Sequence, residues 1–425
     1  MGRHLKSRKQ GHIRAMVTSM ATFMGKAGPR CILSALAFSA WFGPTAVAQE
    51  RFKPQPNAVV LKSSIPAQKL GNSDFNTLSA AWRAQPHHLQ TATDYARAVF
   101  ILGLNEGDLR WYGSAKAALL PWWQDTQLPA DTLFMRGLVK QGFHEFSAGL
   151  HDIDLAIAQN PHKTEYWSWR FVLNLLQSNM AAAEKDCQNI ETYAGKLEAQ
   201  QHRAVLYYRT GRAKLALQIF KDLQQGPDFS KINSEWFQFH WGEAYRVAGQ
   251  PTQALSVWRQ QLHATPASHL IRLSLAELLN QQALFAEAYQ ITAVDNPTDA
   301  LLVQQLLASK GLQSKRTLQL AKLMATRLAT QALRNESLIE RPKMAYLIDY
   351  GADPQAGLQL AVENWKTQQE PRDAVLLVKA ALLTKQTQAA APVLAWAQQT
   401  QYTDPELSAL LATLNLQISP AGGVK

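Results

Sequence analysis

Apolar residues along this chain recur with helical rather than strand spacing, and they recur in paired blocks. The clearest block is residues 233–267, NSEWFQFHWGEAYRVAGQPTQALSVWRQQLHATPA. It places Gly242, Tyr245, Gly249, Ala254, Trp258 and Pro266 at offsets suited to one helix–turn–helix unit of about 34 residues. Gly242 and Ala254 are small where two helices must approach, and Tyr245 and Trp258 are large where a gap must be filled. Gly249 falls where the first helix ends and a positive φ favours a residue without Cβ. Pro266 stops the second helix.

The same phase runs through much of the chain. Leu78, Ala81 and Trp82 give a helical face that stops at Pro86, and Ala96, Val99 and Gly103 begin the first full pair. Its second helix, residues 112–123 with Ala115 and Leu119, arrives late, which predicts an insertion over residues 105–111. Gly137, Phe146, Ile153, Ala156 and Pro161 mark the next pair; Trp167, Phe171, Asn174, Ala183 and Cys187 the one after. Ala204, Tyr207, Gly211, Ala216 and Phe220 follow, then the central block, then Ala276, Leu279, Ala283, Phe285 and Ala288. After Pro297 the marks thin: residues 301–307 and 318–333 read as helices, 344–365 and 374–396 as two more hairpins separated by Glu370-Pro371, and 405–416 as a last helix. No stretch joins β-branched runs to period-two alternation, so the expected class is all-α.

These marks resemble the tetratricopeptide repeat (TPR) family. The resemblance implies a right-handed α-solenoid (superhelix) of TPR-like helix–turn–helix repeats, with the first helix of each pair lining a concave face. A hairpin cannot bury its apolar stripe alone, so each packs on the next. The organisation expected is a signal peptide over 1–48, an extended leader over 49–72, repeats over 73–297, degenerate hairpins and a C-terminal cap over 298–417, and a flexible tail over 418–425. Family geometry assigns Gln201, Val205, Tyr208, Arg209, Trp236, Phe239, Glu243, Arg246, Val247, Leu273, Glu277 and Asn280 to the groove. Tyr208, Arg209, Phe239, Glu243, Arg246 and Glu277 are the expected partner-binding residues. Their mixture of aromatic, apolar and charged groups suits a polypeptide segment better than a small metabolite.

Charge changes one part of this picture. The formal net charge is +11, but seven basic residues fall before residue 49 and no acid precedes Glu50. Those residues, an apolar run over 31–42 and Ala46-Val47-Ala48 follow the order of a cleaved secretory signal, with cleavage before Gln49. The expected start is Met24 or Met1, the expected location periplasmic or secreted, and the apolar run is short of the roughly 20 residues of a membrane span. Without that segment no basic cluster suggests nucleic acid. Cys187 is then the one cysteine left, and it reads as a small buried apolar side chain.

Candidate chemistry is sparse. The sequence has no G-x-S-x-G, Walker loop, dinucleotide fingerprint, H-E-x-x-H or C-x-x-C. His144, Glu145, His151, Asp152, Asp154 and His162 form the best metal-like cluster and support a metal-dependent hydrolase as the enzymatic alternative. Yet His144 sits in a turn, His162 lies beyond Pro161, and Asp152 and Asp154 point to different faces of one helix, so solvated polar positions explain them. Trp111-Tyr112 and Trp122-Trp123 read as core rather than as a carbohydrate platform. The expected function is therefore an exported, non-catalytic scaffold with a protein or peptide partner and no cofactor. The alternative is an envelope accessory that assists assembly or export of a polysaccharide or membrane complex.

Overall fold

A computed structural model describes residues 73–106, 110–333 and 341–418. The expected signal peptide, the leader and the tail beyond residue 418 lie outside the described residues. Among these there are twenty α-helices and no strand. A lone helix α1 (Ser73–Ala84) precedes seven hairpins: α2 (Leu89–Glu106) with α3 (Arg110–Leu119), α4 (Ala130–Gly142) with α5 (Phe146–Gln159), α6 (Thr164–Leu176) with α7 (Met180–Ala194), α8 (Lys196–Arg209) with α9 (Ala213–Gln225), α10 (Ser234–Val247) with α11 (Pro251–Ala264), α12 (His269–Gln281) with α13 (Phe285–Thr292), and α14 (Asp299–Gly311) with α15 (Thr317–Leu333). Five further helices close the chain: α16 (Arg341–Ile348), α17 (Pro354–Thr367), α18 (Pro371–Leu383), α19 (Ala391–Thr400) and α20 (Pro405–Ile418).

The central hairpin shows why this sequence makes such a unit. The Asn233 side chain accepts a hydrogen bond from the backbone N–H of Trp236 at 3.0 Å and caps α10, satisfying one donor that a helix start leaves free. Gly249 turns the chain with φ +73°, and Pro251 starts α11 at a position that needs no N–H. Between the helices, a Cβ on Gly242 would lie 2.1 Å from Trp258 Nε1. The indole therefore rests on bare backbone, with its N–H donated to the Phe239 carbonyl at 3.2 Å. Ala254 and Trp258 are fully buried. Ala254→Leu is expected to cost about 1–3 kcal/mol through overpacking, read as a lower denaturant midpoint at unchanged slope.

Glycine is not needed at every turn. His144, Ser178, Ala283 and Gln313 hold left-handed backbone at the hairpin turns where Gly211 and Gly249 do so elsewhere. The expected insertion over 105–111 resolves into helix ends: Asn105 and Glu106 finish α2, while Arg110 and Trp111 begin α3. Residues 107–109 lie outside the described residues.

The stretch from 298 to 417 divides in two. Helices α14 and α15 continue the stack, but from Arg341 the chain turns back instead of lengthening it. Helix α16 packs beside α14 and α18, and α18 packs against α17 and α20. Their apolar faces belong to the same core as the early hairpins: Trp365, Leu377, Val393, Trp396, Tyr402 and Leu407 are all buried. Helix α2 of the first hairpin also touches α12 of the sixth. The described chain is a stack whose inner side is filled by its own last helices.

Candidate functional site

The six expected groove residues do come together, on α8, α10 and α12. Each meets a neighbour from this chain. Arg209 donates to Glu370 at 2.6 Å, and Glu370 is itself buried. Arg246 holds Glu243 at 3.1 Å, Asp404 at 3.2 Å and the Tyr402 hydroxyl at 3.3 Å. Arg372 bridges Glu243, at 3.0 Å, to Glu277 on the next hairpin. Tyr208 is hydrogen-bonded to His240 Nδ1 at 2.7 Å. Phe239 is buried beside that histidine, ring centroids 4.7 Å apart. Arg246 was expected to project from an exposed groove position; it is instead 9 % exposed and held by the returning chain.

The returning C-terminal chain follows a regular path. It meets successive hairpins at the ends of their first helices. The Gln369 N–H donates to the last carbonyl of α6, Leu176, at 3.0 Å, and the Trp396 indole donates to Ser178 Oγ at 2.5 Å. At the α8–α9 turn the Gln401 carbonyl passes so close to Gly211 that a Cβ there would lie 2.3 Å away. Pro405 lies over Gly249 at the next turn, and Gln281 at the end of α12 donates to Glu406 at 2.8 Å. At Gly211 glycine therefore serves two ends, a left-handed turn and a close passage of backbone.

Burial sets the electrostatics. Desolvation raises the Glu243 carboxyl, but Arg246 and Arg372 outweigh it and hold the group down to about 2. Asp404 is likewise lowered, against its desolvation, chiefly by Arg246. His240 is pushed down to about 3 by burial, so it is neutral at physiological pH. A small cavity of about 40 Å³ lies among Tyr208, Arg209, His240, Glu243, Arg372 and Tyr402. It suits a water-sized molecule and is too small for a metabolite.

Reasoning from the sequence did not find Glu370, Arg372, Tyr402 and Asp404, the residues that occupy the groove. A signal was present: Glu370-Pro371-Arg372 and Tyr402-Thr403-Asp404-Pro405 each put charge beside a proline that starts a helix. Asp404 caps α20 through the Leu407 N–H at 2.8 Å.

The metal-like cluster falls apart as geometry. Asp152 is buried and held by Arg136, with Nη2 to Oδ1 at 2.7 Å, and by Lys140 at 2.8 Å. Asp154 pairs with Arg170 at 2.8 Å. Their charges are already balanced by cations, and no group of three or more His, Cys, Asp or Glu residues converges among the described residues. Cys187 is fully buried, with its thiol raised by desolvation. Tyr112 is core, while Trp123 lies partly exposed under the Lys116 ammonium, 5.0 Å from its ring centroid.

Helical hairpins repeat from α2 to α15, each packed on the next. The chain is a helical repeat array. No protein-family model matches the array, and no curated protein matches it. Similar solved structures include TPR proteins. A thermophilic TPR protein of Thermus thermophilus is 19% identical, the match covering 47% of this chain and 99% of that one, with a TM-score of 0.33. A tetratricopeptide repeat protein of Parabacteroides merdae is 14% identical, with coverages of 68% and 99% and a TM-score of 0.31. Yeast Tom70 is 12% identical, with coverages of 81% and 84% and a TM-score of 0.39. The fold of the array itself rests on its own hairpin geometry.

Proposed function

We propose that the chain is an exported, non-catalytic scaffold that binds a protein or peptide partner. The observation that carries this reading is the groove itself, whose aromatic and charged side chains hold two short stretches of the same chain, residues 369–372 and 401–406, each a connection running into the start of a helix. A surface that grips one polypeptide by ion pairs and backbone contacts has the chemistry to grip another. On this reading Tyr208, Arg209, Phe239, Glu243, Arg246 and Glu277 are the partner-binding positions, engaged in cis until a partner competes for them. The arginine partners of Asp152 and Asp154 argue against hydrolytic chemistry around His144. Export rests on the charge order and the Ala46-Val47-Ala48 exit of the first 48 residues.

Two measurements test the reading. N-terminal sequencing of protein recovered from the cell envelope should start at Gln49; recovery of full-length chain in the cytosol would remove the export half. Photo-crosslinking from position 401, beside the groove, should trap one protein repeatedly. Repeated experiments with no enriched protein would sink the scaffold half.

A further inference from the structure

The two ends of the stack are finished differently. At the N-terminal end, α1 covers the first hairpin, with Trp82 stacked on Tyr95 at 4.5 Å between ring centroids. At the other end α15 packs chiefly on α14, because the chain beyond it turns back into the groove. Of its 17 residues, only Ala321 and Met324 are buried. Leu318 is 79 % and Leu333 85 % exposed, and Leu323 and Leu312 are exposed as well. At 100° per residue, Leu318, Ala325, Ala329 and Leu333 form one outward stripe, with Lys322 inside it. A terminal repeat normally turns a polar face outward for solubility; this one turns leucines outward.

The charge along this stripe is mostly positive, with Asp299 the acid bonded to it through Arg327 and Gln331. From residue 300 to 335 the sequence holds Lys310, Lys315, Arg316, Lys322, Arg327 and Arg334 and no acid. Arg327 is paired with Asp299, and Lys310 donates to the Tyr350 carbonyl. Lys315 and Lys322 are exposed. A second copy of the chain would bring the same cations against themselves. The chain's own leader, residues 49–72, complements it no better, since it carries Arg51, Lys53, Lys62 and Lys69 against Glu50 alone. An exposed helix with outward leucines and unopposed lysines has the features of one that lies in the headgroup region of an anionic bilayer. The stripe is about 22 Å long at 1.5 Å per residue, and a lysine within it can extend its ammonium to the phosphates while its stem stays on the acyl boundary.

We propose that α15 docks the protein on an anionic lipid surface, with Leu318 and Leu333 entering the interface and Lys315 and Lys322 meeting lipid phosphates. This surface is separate from the groove and stands whether or not the groove takes a partner.

Hydrogen exchange of the full chain, read over residues 317–333, tests it at the helix itself. Vesicles of phosphatidylglycerol should slow exchange there at least tenfold, vesicles of phosphatidylcholine should not, and added salt should weaken the protection. Leu318→Glu with Leu333→Glu should abolish the protection while leaving the circular-dichroism melt unchanged, since both side chains are exposed. Lys315→Glu with Lys322→Glu should do the same. The proposal is overturned if neither vesicle protects the helix or if both protect it equally. It is also overturned if protection grows with protein concentration without lipid, which would make the face an interface between copies.

Discussion

Exchanging Arg246 for glutamate should lower the unfolding free energy by about 3–5 kcal/mol, the scale for breaking a buried ion pair from one side. An exposed groove residue would shift it by no more than about 0.5 kcal/mol. The difference lies in what surrounds the guanidinium. Glu243 and Asp404 are buried carboxylates that share it, and the Tyr402 hydroxyl reaches it as well. A glutamate there would place three carboxyl groups in one desolvated site, with Arg372 left to oppose them. Arg246→Met should cost less, because Glu243 keeps Arg372 and Asp404 keeps the Tyr402 hydroxyl and the α20 N-terminus. Guanidinium chloride unfolding of the three proteins checks the order. A glutamate variant within 0.5 kcal/mol of the parent, on the surface scale, would mean the C-terminal helices do not hold the groove in solution.

Mild acid should destabilise the protein through its buried histidines. His144 and His240 are buried, and desolvation pushes them down to about 4 and about 3. In the unfolded chain each titrates near 6.5. Both folded values lie below the unfolded one, so the folded state resists protonation that the unfolded state accepts. Stability is therefore full above pH 6.5 and falls as the pH drops toward 4, by several kcal/mol in all. Glu243 and Asp404 add a second, lower step, since both are held below the ordinary carboxylate range and their contribution is lost as the pH falls through and below it, for Glu243 to about 2. Thermal melts between pH 7.5 and 4.5 should show the first step. His240→Gln should make it shallower, because glutamine does not titrate while the His144 share remains. A melting temperature unchanged from pH 7 to pH 5 would show that these imidazoles are not kept neutral by burial.

Local rules made the hairpins legible. Gly242, Ala254 and Trp258 are a packing instruction within 17 residues of one another, and the structure obeys it atom by atom. Gly211 and Gly249 were readable as turns for the same reason. The turn at His144 was readable too, but the left-handed backbone at Ser178, Ala283 and Gln313 was not, because those side chains do not advertise a positive φ. The groove positions were legible as positions but not as contacts. Whether Arg209 faces solvent, a partner or Glu370 depends on a residue 161 places away, and no period or cap links the two. The thinning of the marks after Pro297 did record a real change. The last helices no longer stack in series, and among them the small-large pairing survives at Gly357 against Ile348.

The return of the last helices also fixes an order of events in time. The bonds from Trp396 to Ser178, Glu370 to Arg209 and Asp404 to Arg246 span 218, 161 and 158 residues. A simple solenoid can fold from any point and propagate between neighbours. This chain cannot finish that way, and such non-local closure makes the last step slow. Synthesis proceeds from the N-terminus, so the hairpins that form the groove emerge well before residues 370–406 exist to fill it. Every newly made molecule thus passes through an interval with Arg209, Glu243 and Arg246 uncovered. That interval is when a chaperone or a passing polypeptide meets the groove without competition.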